Sequence, residues 1–94
     1  MDTRFTTPTL QDHQLKAKIA VVEWFNNKAE ITDGVAITVD DTYVVSFTYV
    51  LGSWKALVST IVPDGMYYEC TYNKDKAEMY LDAYKKFDNV CVRD

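Results

Sequence analysis

The stretch VAITVDDTYVVSFTYVLGSWKALVSTIVPDGMYYECTY, residues 35–72, decides the fold, because three turn signals cut it into four short alternating runs. Leu51-Gly52-Ser53-Trp54 carries Gly at the first position of a two-residue loop, as a type II′ hairpin prefers, which sets Leu51 across from Trp54. Val62-Pro63-Asp64-Gly65-Met66 is a second turn: Pro63 fixes its φ, Asp64 tolerates the next position, and Gly65 can take the left-handed one. Val62 then faces Met66. Asp40-Asp41-Thr42 reads as a three-residue loop that places Val39 across from Tyr43.

With these registers, strand alternation turns one set of side chains to a single face: Val35, Ile37 and Val39; Tyr43, Val45, Phe47, Tyr49 and Leu51; Trp54, Ala56, Val58, Thr60 and Val62; Met66, Tyr68, Cys70 and Tyr72. The reverse face holds Ala36, Thr38, Val44, Ser46, Thr48, Val50, Lys55, Leu57, Ser59, Ile61, Tyr67, Glu69 and Thr71, small and half polar. A slip of one residue would exchange the two faces, so the register that gathers the apolar set is the expected one.

Upstream, residues 1–7 are polar and Thr-rich and read as an arm. Thr9-Leu10-Gln11-Asp12 resembles a capping box behind Pro8, and Leu15, Ile19, Val22 and Phe25 recur at helical spacing, predicting a helix over 9–27. Ala17, Ala20, Val21 and Trp24 widen its apolar stripe. Asn26-Asn27 suits a helix end, and Asp33-Gly34 turns the chain into the first strand. Downstream, Asn73 can cap a second helix over 74–88, in which Ala77, Tyr80, Leu81, Tyr84 and Phe87 recur at helical spacing. Val90-Cys91-Val92 alternates as a short fifth strand would. The predicted architecture is therefore one α+β domain over residues 1–94: a four-stranded antiparallel meander with an N-terminal and a C-terminal helix on one face, in the order α-β-β-β-β-α.

The chain has 94 residues, 48% of them apolar and 14% aromatic, which supports one modest core. It begins Met1-Asp2-Thr3-Arg4 with no apolar run behind, and Ile19 to Phe25 is far too short to span a bilayer, so no membrane association and a cytoplasmic location are expected. The net charge of −4 is unevenly spread: between Glu30 and Tyr72 six acids stand against one base, Lys55, while the rest carries nine bases and eight acids. An acidic sheet repels phosphate backbones and favours a basic partner.

No catalytic motif is present. Cys70 and Cys91 lack CxxC spacing, the lone His13 sits among Gln11, Gln14 and Lys16 as a solvated polar residue would, and no phosphate-cradling or zinc-binding signature occurs. Reduced thiols are expected, with Cys70 packing as a small hydrophobe. Asp40, Asp41 and Asp64 sit in turns that emerge at one end of the sheet, where turn formation is their ordinary role and a local negative patch their consequence. Most of the aromatics fall on the core face. Tyr67 instead shares the open face with Glu69, Ser46, Thr48, Leu57 and Ser59, a mixture suited to contact with protein.

At the level of a helix on an antiparallel meander, the order of elements is similar to cystatin-type folds. As a compact, acidic, aromatic-rich domain without catalytic residues, the chain also resembles in type the small inhibitors, anti-CRISPR proteins among them, that bacteriophages and mobile elements direct at host machinery. That resemblance implies a non-enzymatic, cofactor-free and metal-free protein that occupies a basic surface on a protein partner used for nucleic acid, without binding nucleic acid itself. The expected contact residues are Asp40, Asp41, Asp64, Tyr67, Glu69, Ser46, Thr48, Leu57 and Ser59. Two other readings stand beside it: a small structural subunit that forms homodimers or larger assemblies, and a ligand-binding domain or enzyme with a cavity between helix and sheet.

Overall fold

The computed structural model describes residues 8–28 and 36–93. The expected arm at 1–7, the Asp33-Gly34 turn and Val35 lie outside them. One helix, α1 (Leu10–Asn27), precedes a single-turn 3-10 helix at Val39–Asp41 and four strands, β1 (Thr42–Val50), β2 (Ser53–Thr60), β3 (Met66–Asn73) and β4 (Glu78–Lys85). The strands form one antiparallel sheet in the order β1-β2-β3-β4.

Helix α1 begins as its sequence requires. The Thr9 N–H donates to Asp12 Oδ2 at 2.8 Å and the Asp12 N–H donates to Thr9 Oγ1 at 3.1 Å, completing a capping box. Its buried face is rotated from the expected one. Ala17, Val21 and Phe25 are sealed, whereas Leu15 and Ile19 remain 45% and 42% exposed. Small Ala17 explains the choice: its carbonyl lies 3.8 Å from the Cys70 thiol, an approach that a longer side chain at the contact would prevent. Trp24 completes the contact, its ring 5.5 Å from that of Tyr68.

The meander exists, displaced by one strand toward the C-terminus. Residues 36–38 have no regular structure, and the expected strand ending at Val39 is replaced by the 3-10 turn, in which Asp41 Oδ2 accepts from the Thr38 N–H at 2.8 Å. The Thr38-x-x-Asp41 spacing is itself a capping box, and it overrides the alternation of Val35, Ile37 and Val39. Ile37 is still buried, because its backbone is held by the side chain of Asn26.

The expected C-terminal helix is absent. Asn73 does act as a cap, its Oδ1 accepting from the Lys76 N–H at 3.3 Å, but it caps a turn that Ala77, at φ 51°, sends back on itself. Residues 78–85 then pair with β3, Met79 opposite Tyr72 and Leu81 opposite Cys70. The same residues carry two periods. Tyr80, Leu81 and Tyr84 fit a helix, while Met79 and Leu81 alternating with Tyr80, Asp82 and Tyr84 fit a strand. Pairing wins because it satisfies the outer backbone groups of β3 and sets Met79 and Leu81 against the core. No fifth strand forms at Val90-Cys91-Val92, which is exposed and without regular structure.

Both hairpins differ from expectation by two residues, a shift that preserves sidedness. Tyr49 faces Trp54 and Val50 faces Ser53, leaving Leu51-Gly52 as the loop with both φ positive, a type I′ turn in place of the expected type II′. Val58 faces Tyr68 across the next hairpin. Trp54, Ala56, Val58, Tyr68 and Cys70 are consequently buried in one cluster with Ala17 and Val21 of α1, and Thr60 is buried at the end of β2. In β1 a bulge between Val44 and Ser46 changes the sides: Val44 packs on the core, while Tyr43 and Val45, expected inside, are exposed.

Candidate functional site

Because the C-terminal segment is a strand, only one face of the sheet has a helix over it among the described residues. The open face is built from cross-strand pairs. Tyr67 lies directly opposite Tyr84, their rings stacked at 5.3 Å and 17°. One step along, Glu69 faces Asp82, and beyond that Thr71 faces Tyr80. On the other side of β3, Leu57 pairs with Glu69 and Lys55 with Thr71, and the Lys55 Nζ reaches Glu69 Oε2 at 3.5 Å. Ser46 and Thr48 stand across from Leu57 and Lys55, and Ser59 across from Tyr43.

The structure thus brings together six of the expected contact residues, Ser46, Thr48, Leu57, Ser59, Tyr67 and Glu69, on one face. Asp40, Asp41 and Asp64 belong to turns at an end of the sheet. The Asp41 carboxylate is occupied by Thr38, and Asp64 Oδ1 accepts from the Met66 N–H at 2.9 Å. Lys86 shares their end, its N–H donating to the Gly65 carbonyl at 2.7 Å.

Four further residues of this face, Glu78, Tyr80, Asp82 and Tyr84, escaped the sequence reading because it assigned them to a helix. The alternation of acid and tyrosine from Glu78 to Tyr84 was the signal available. Like charges directly opposite each other repel, so the Glu69–Asp82 pair is a costly arrangement for an unbound sheet. Its field reaches one phenol: Asp82, then Glu69, raises the pKa of Tyr84. Tyr80 is raised separately, by the hydrogen bond it donates to Glu78. Strand residues pointing to this face carry Glu69, Glu78 and Asp82 against Lys55, a net charge of −2.

The other candidate groups are differently placed. His13 is half-buried, its ring 5.5 Å from Tyr49 and 5.6 Å from Trp54, so it packs between aromatics where a solvated residue was expected. Burial pushes the Cys70 thiol up to about 11, with Asp82 and Glu69 adding to the shift; it is held protonated beneath α1. Cys91 is exposed, and both thiols are free. Burial, with Asp64 contributing, raises the Tyr68 phenol to about 12. Among the described residues, neither the Tyr68 hydroxyl nor Trp54 Nε1 has a hydrogen-bond partner, and no group of three metal-ligating side chains occurs. A hollow of about 420 Å³ near the Leu51-Gly52 turn is lined by His13, Tyr49, Tyr72 and Lys74, among others. No helix among the described residues is long and apolar enough to cross a membrane.

These features define a small α+β domain, one helix over a four-stranded antiparallel sheet whose other face is acidic and tyrosine-bearing. The chain belongs to a family of unknown function, DUF6275, which matches residues 14–94. No curated protein and no solved structure matches it.

Proposed function

We propose that this domain is a non-enzymatic binding module whose open sheet face occupies a basic surface on another protein, one that the partner otherwise uses for nucleic acid. The observation that carries the reading is the Tyr67–Tyr84 stack, flanked by Glu69 and Asp82, on a sheet face that no described element covers. Tyrosine offers large contact area at small entropic cost, and its ring face attracts Arg and Lys. The opposed carboxylates gain most from a cation inserted between them, because it relieves their mutual repulsion. A partner supplying Arg side chains satisfies both features at once.

Occupying such a surface would exclude nucleic acid from it. That is the action of a small inhibitor of the anti-defence or anti-CRISPR type that the composition resembles. The test is affinity capture from a bacterial lysate at low and moderate salt, with wild type beside the double variants Tyr67→Ala/Tyr84→Ala and Glu69→Lys/Asp82→Lys. A basic protein retained by wild type and lost from both variants supports the reading. No specific partner, or a partner held equally by all three chains, overturns it.

A further inference from the structure

We propose that the outer edge of β4, which no strand among the described residues pairs with, joins the same edge of a second copy about a two-fold axis at Tyr84, making one continuous eight-stranded sheet. The two edges of the sheet are not alike. The β1 edge is broken by the bulge between Val44 and Ser46, a device that discourages edge pairing. Strand β4 has no bulge, proline or glycine over its eight residues, and its register with β3 runs without a shift. Beyond it the chain leaves Phe87 fully exposed and Val90 and Val92 largely so.

The ladder fixes which backbone groups are free. In an antiparallel pair both polar groups of a residue point the same way, alternating along the strand. The Lys86 N–H is directed at the Gly65 carbonyl, so Tyr84, Asp82 and Tyr80 also turn toward β3. Met79, Leu81, Ala83 and Lys85 therefore present their N–H and C=O groups outward.

Charge then selects the register and the occupant. A two-fold axis perpendicular to the sheet continues each face into the same face of the partner. Of the registers centred between Tyr80 and Lys86, those on Tyr80, Asp82, Ala83, Lys85 and Lys86 each set like charges in opposition, and that on Leu81 pairs no charges. The register centred on Asp82 also sets Glu78 against Lys86 but opposes Asp82 to itself; the register centred on Tyr84 alone brings opposite charges together, Asp82 of each copy facing Lys86 of the other, with none alike. In that register Ala83 exchanges both backbone bonds with Lys85 of the second copy, and Leu81 does so with Phe87. On the helix side, Phe87 gains the half-buried Leu81 as its neighbour. On the open face, two Tyr84 rings meet at the seam, each already stacked on Tyr67. A second copy is thus the one partner whose edge matches this one in hydrogen bonding, charge and both faces.

The experiment is sedimentation velocity of the full chain at high micromolar concentration, together with disulfide trapping. Wild type is expected to sediment as a dimer. Asp82→Lys is expected to weaken the dimer by ~10-fold or more, and Asp82→Lys/Lys86→Asp to restore it. Tyr84 faces itself in a non-hydrogen-bonded pair, where Cα atoms stand about 4.5 Å apart, so Tyr84→Cys in a Cys91→Ser background should form a covalent dimer under mild oxidation. Tyr80→Cys in the same background should not. A monomeric wild type, failure of the charge swap to restore association, or equal trapping at positions 80 and 84 overturns the proposal.

Discussion

The carboxamide of Asn26 stands in for a neighbouring strand to the backbone of Ile37: Oδ1 accepts from the Ile37 N–H at 2.9 Å and Nδ2 donates to the Ile37 carbonyl at 3.0 Å. This two-bond clasp fastens the end of α1 to the segment that enters the sheet, and it lets Ile37 be buried without a strand to pair with. Replacing Asn26 leaves two partly buried backbone groups unpaired. Asn26→Ala should therefore lower unfolding free energy by about 1–3 kcal/mol. Asn26→Asp, which keeps the acceptor and loses the donor, should fall between it and wild type. Urea unfolding followed by tryptophan fluorescence measures both.

The Leu51-Gly52 turn should tolerate improvement on one side and damage on the other. Leu51 holds φ 51° while almost wholly exposed, so its side chain contributes little to offset its backbone strain. Leu51→Asn, which accepts the left-handed region more readily, should raise stability by about 0.5–1 kcal/mol. Gly52, at φ 89°, would place a Cβ 2.3 Å from Lys74 Cδ. Gly52→Ala should cost about 1 kcal/mol or more. Thermal unfolding of the two variants beside wild type checks the opposite signs.

Cys70 and Tyr68 are held protonated, and this sets the alkaline limit of the fold. Both folded values, about 11 and about 12, lie above the ordinary 9.0 and 10.0. Groups whose pKa is raised by folding contribute stability that is complete below the unfolded value and is lost as pH climbs through the folded one. Their contribution should accordingly be constant near neutrality, begin to fall near pH 9 and be gone above about 12. Cys70→Ala should soften the first part of that decline. In the native protein a thiol reagent at neutral pH should titrate Cys91 alone, and in denaturant both cysteines.

The open-face tyrosines should matter little to the fold itself. Tyr67 and Tyr84 are 37% and 42% exposed, and their rings stack on each other. Tyr67→Ala/Tyr84→Ala is expected to cost only about 1 kcal/mol, the value of such an aromatic pair plus a little area. A much larger loss in chemical denaturation would show that these rings support the fold, contrary to their assignment as contact residues.

Some of this was legible in the sequence and some was not, for identifiable reasons. The Thr9 capping box and the sidedness of β2 and β3 could be read, because an N-cap is local and because a register error of two residues leaves every side chain on its own face. The sidedness of Tyr43 and Val45 could not, since a bulge has no compositional mark in Tyr43-Val44-Val45-Ser46. Leu15 and Ile19 misled because the helix carries apolar residues on opposite sides, and the choice between them depends on Ala17 meeting Cys70, a contact far apart in sequence. Glu78, Tyr80, Asp82 and Tyr84 were missed for a single reason. From Glu78 to Tyr84 the apolar residues satisfy helical and strand periods alike, and what decides between them is the vacant edge of β3, a property of the assembled sheet.

That last assignment underlies the open face, the tyrosine stack and the exposed edge together. It is tested most directly by nuclear Overhauser spectroscopy of the backbone across the last hairpin. Ala83–Tyr68, Leu81–Cys70 and Met79–Tyr72 are the non-hydrogen-bonded pairs of the ladder, whose α-protons lie closest. Strong Hα–Hα cross-peaks for these three pairs are the predicted result. Their absence, with Hα(i)–HN(i+3) contacts linking Ala77 to Tyr80 and Leu81 to Tyr84 instead, would return the segment to a helix and remove the site.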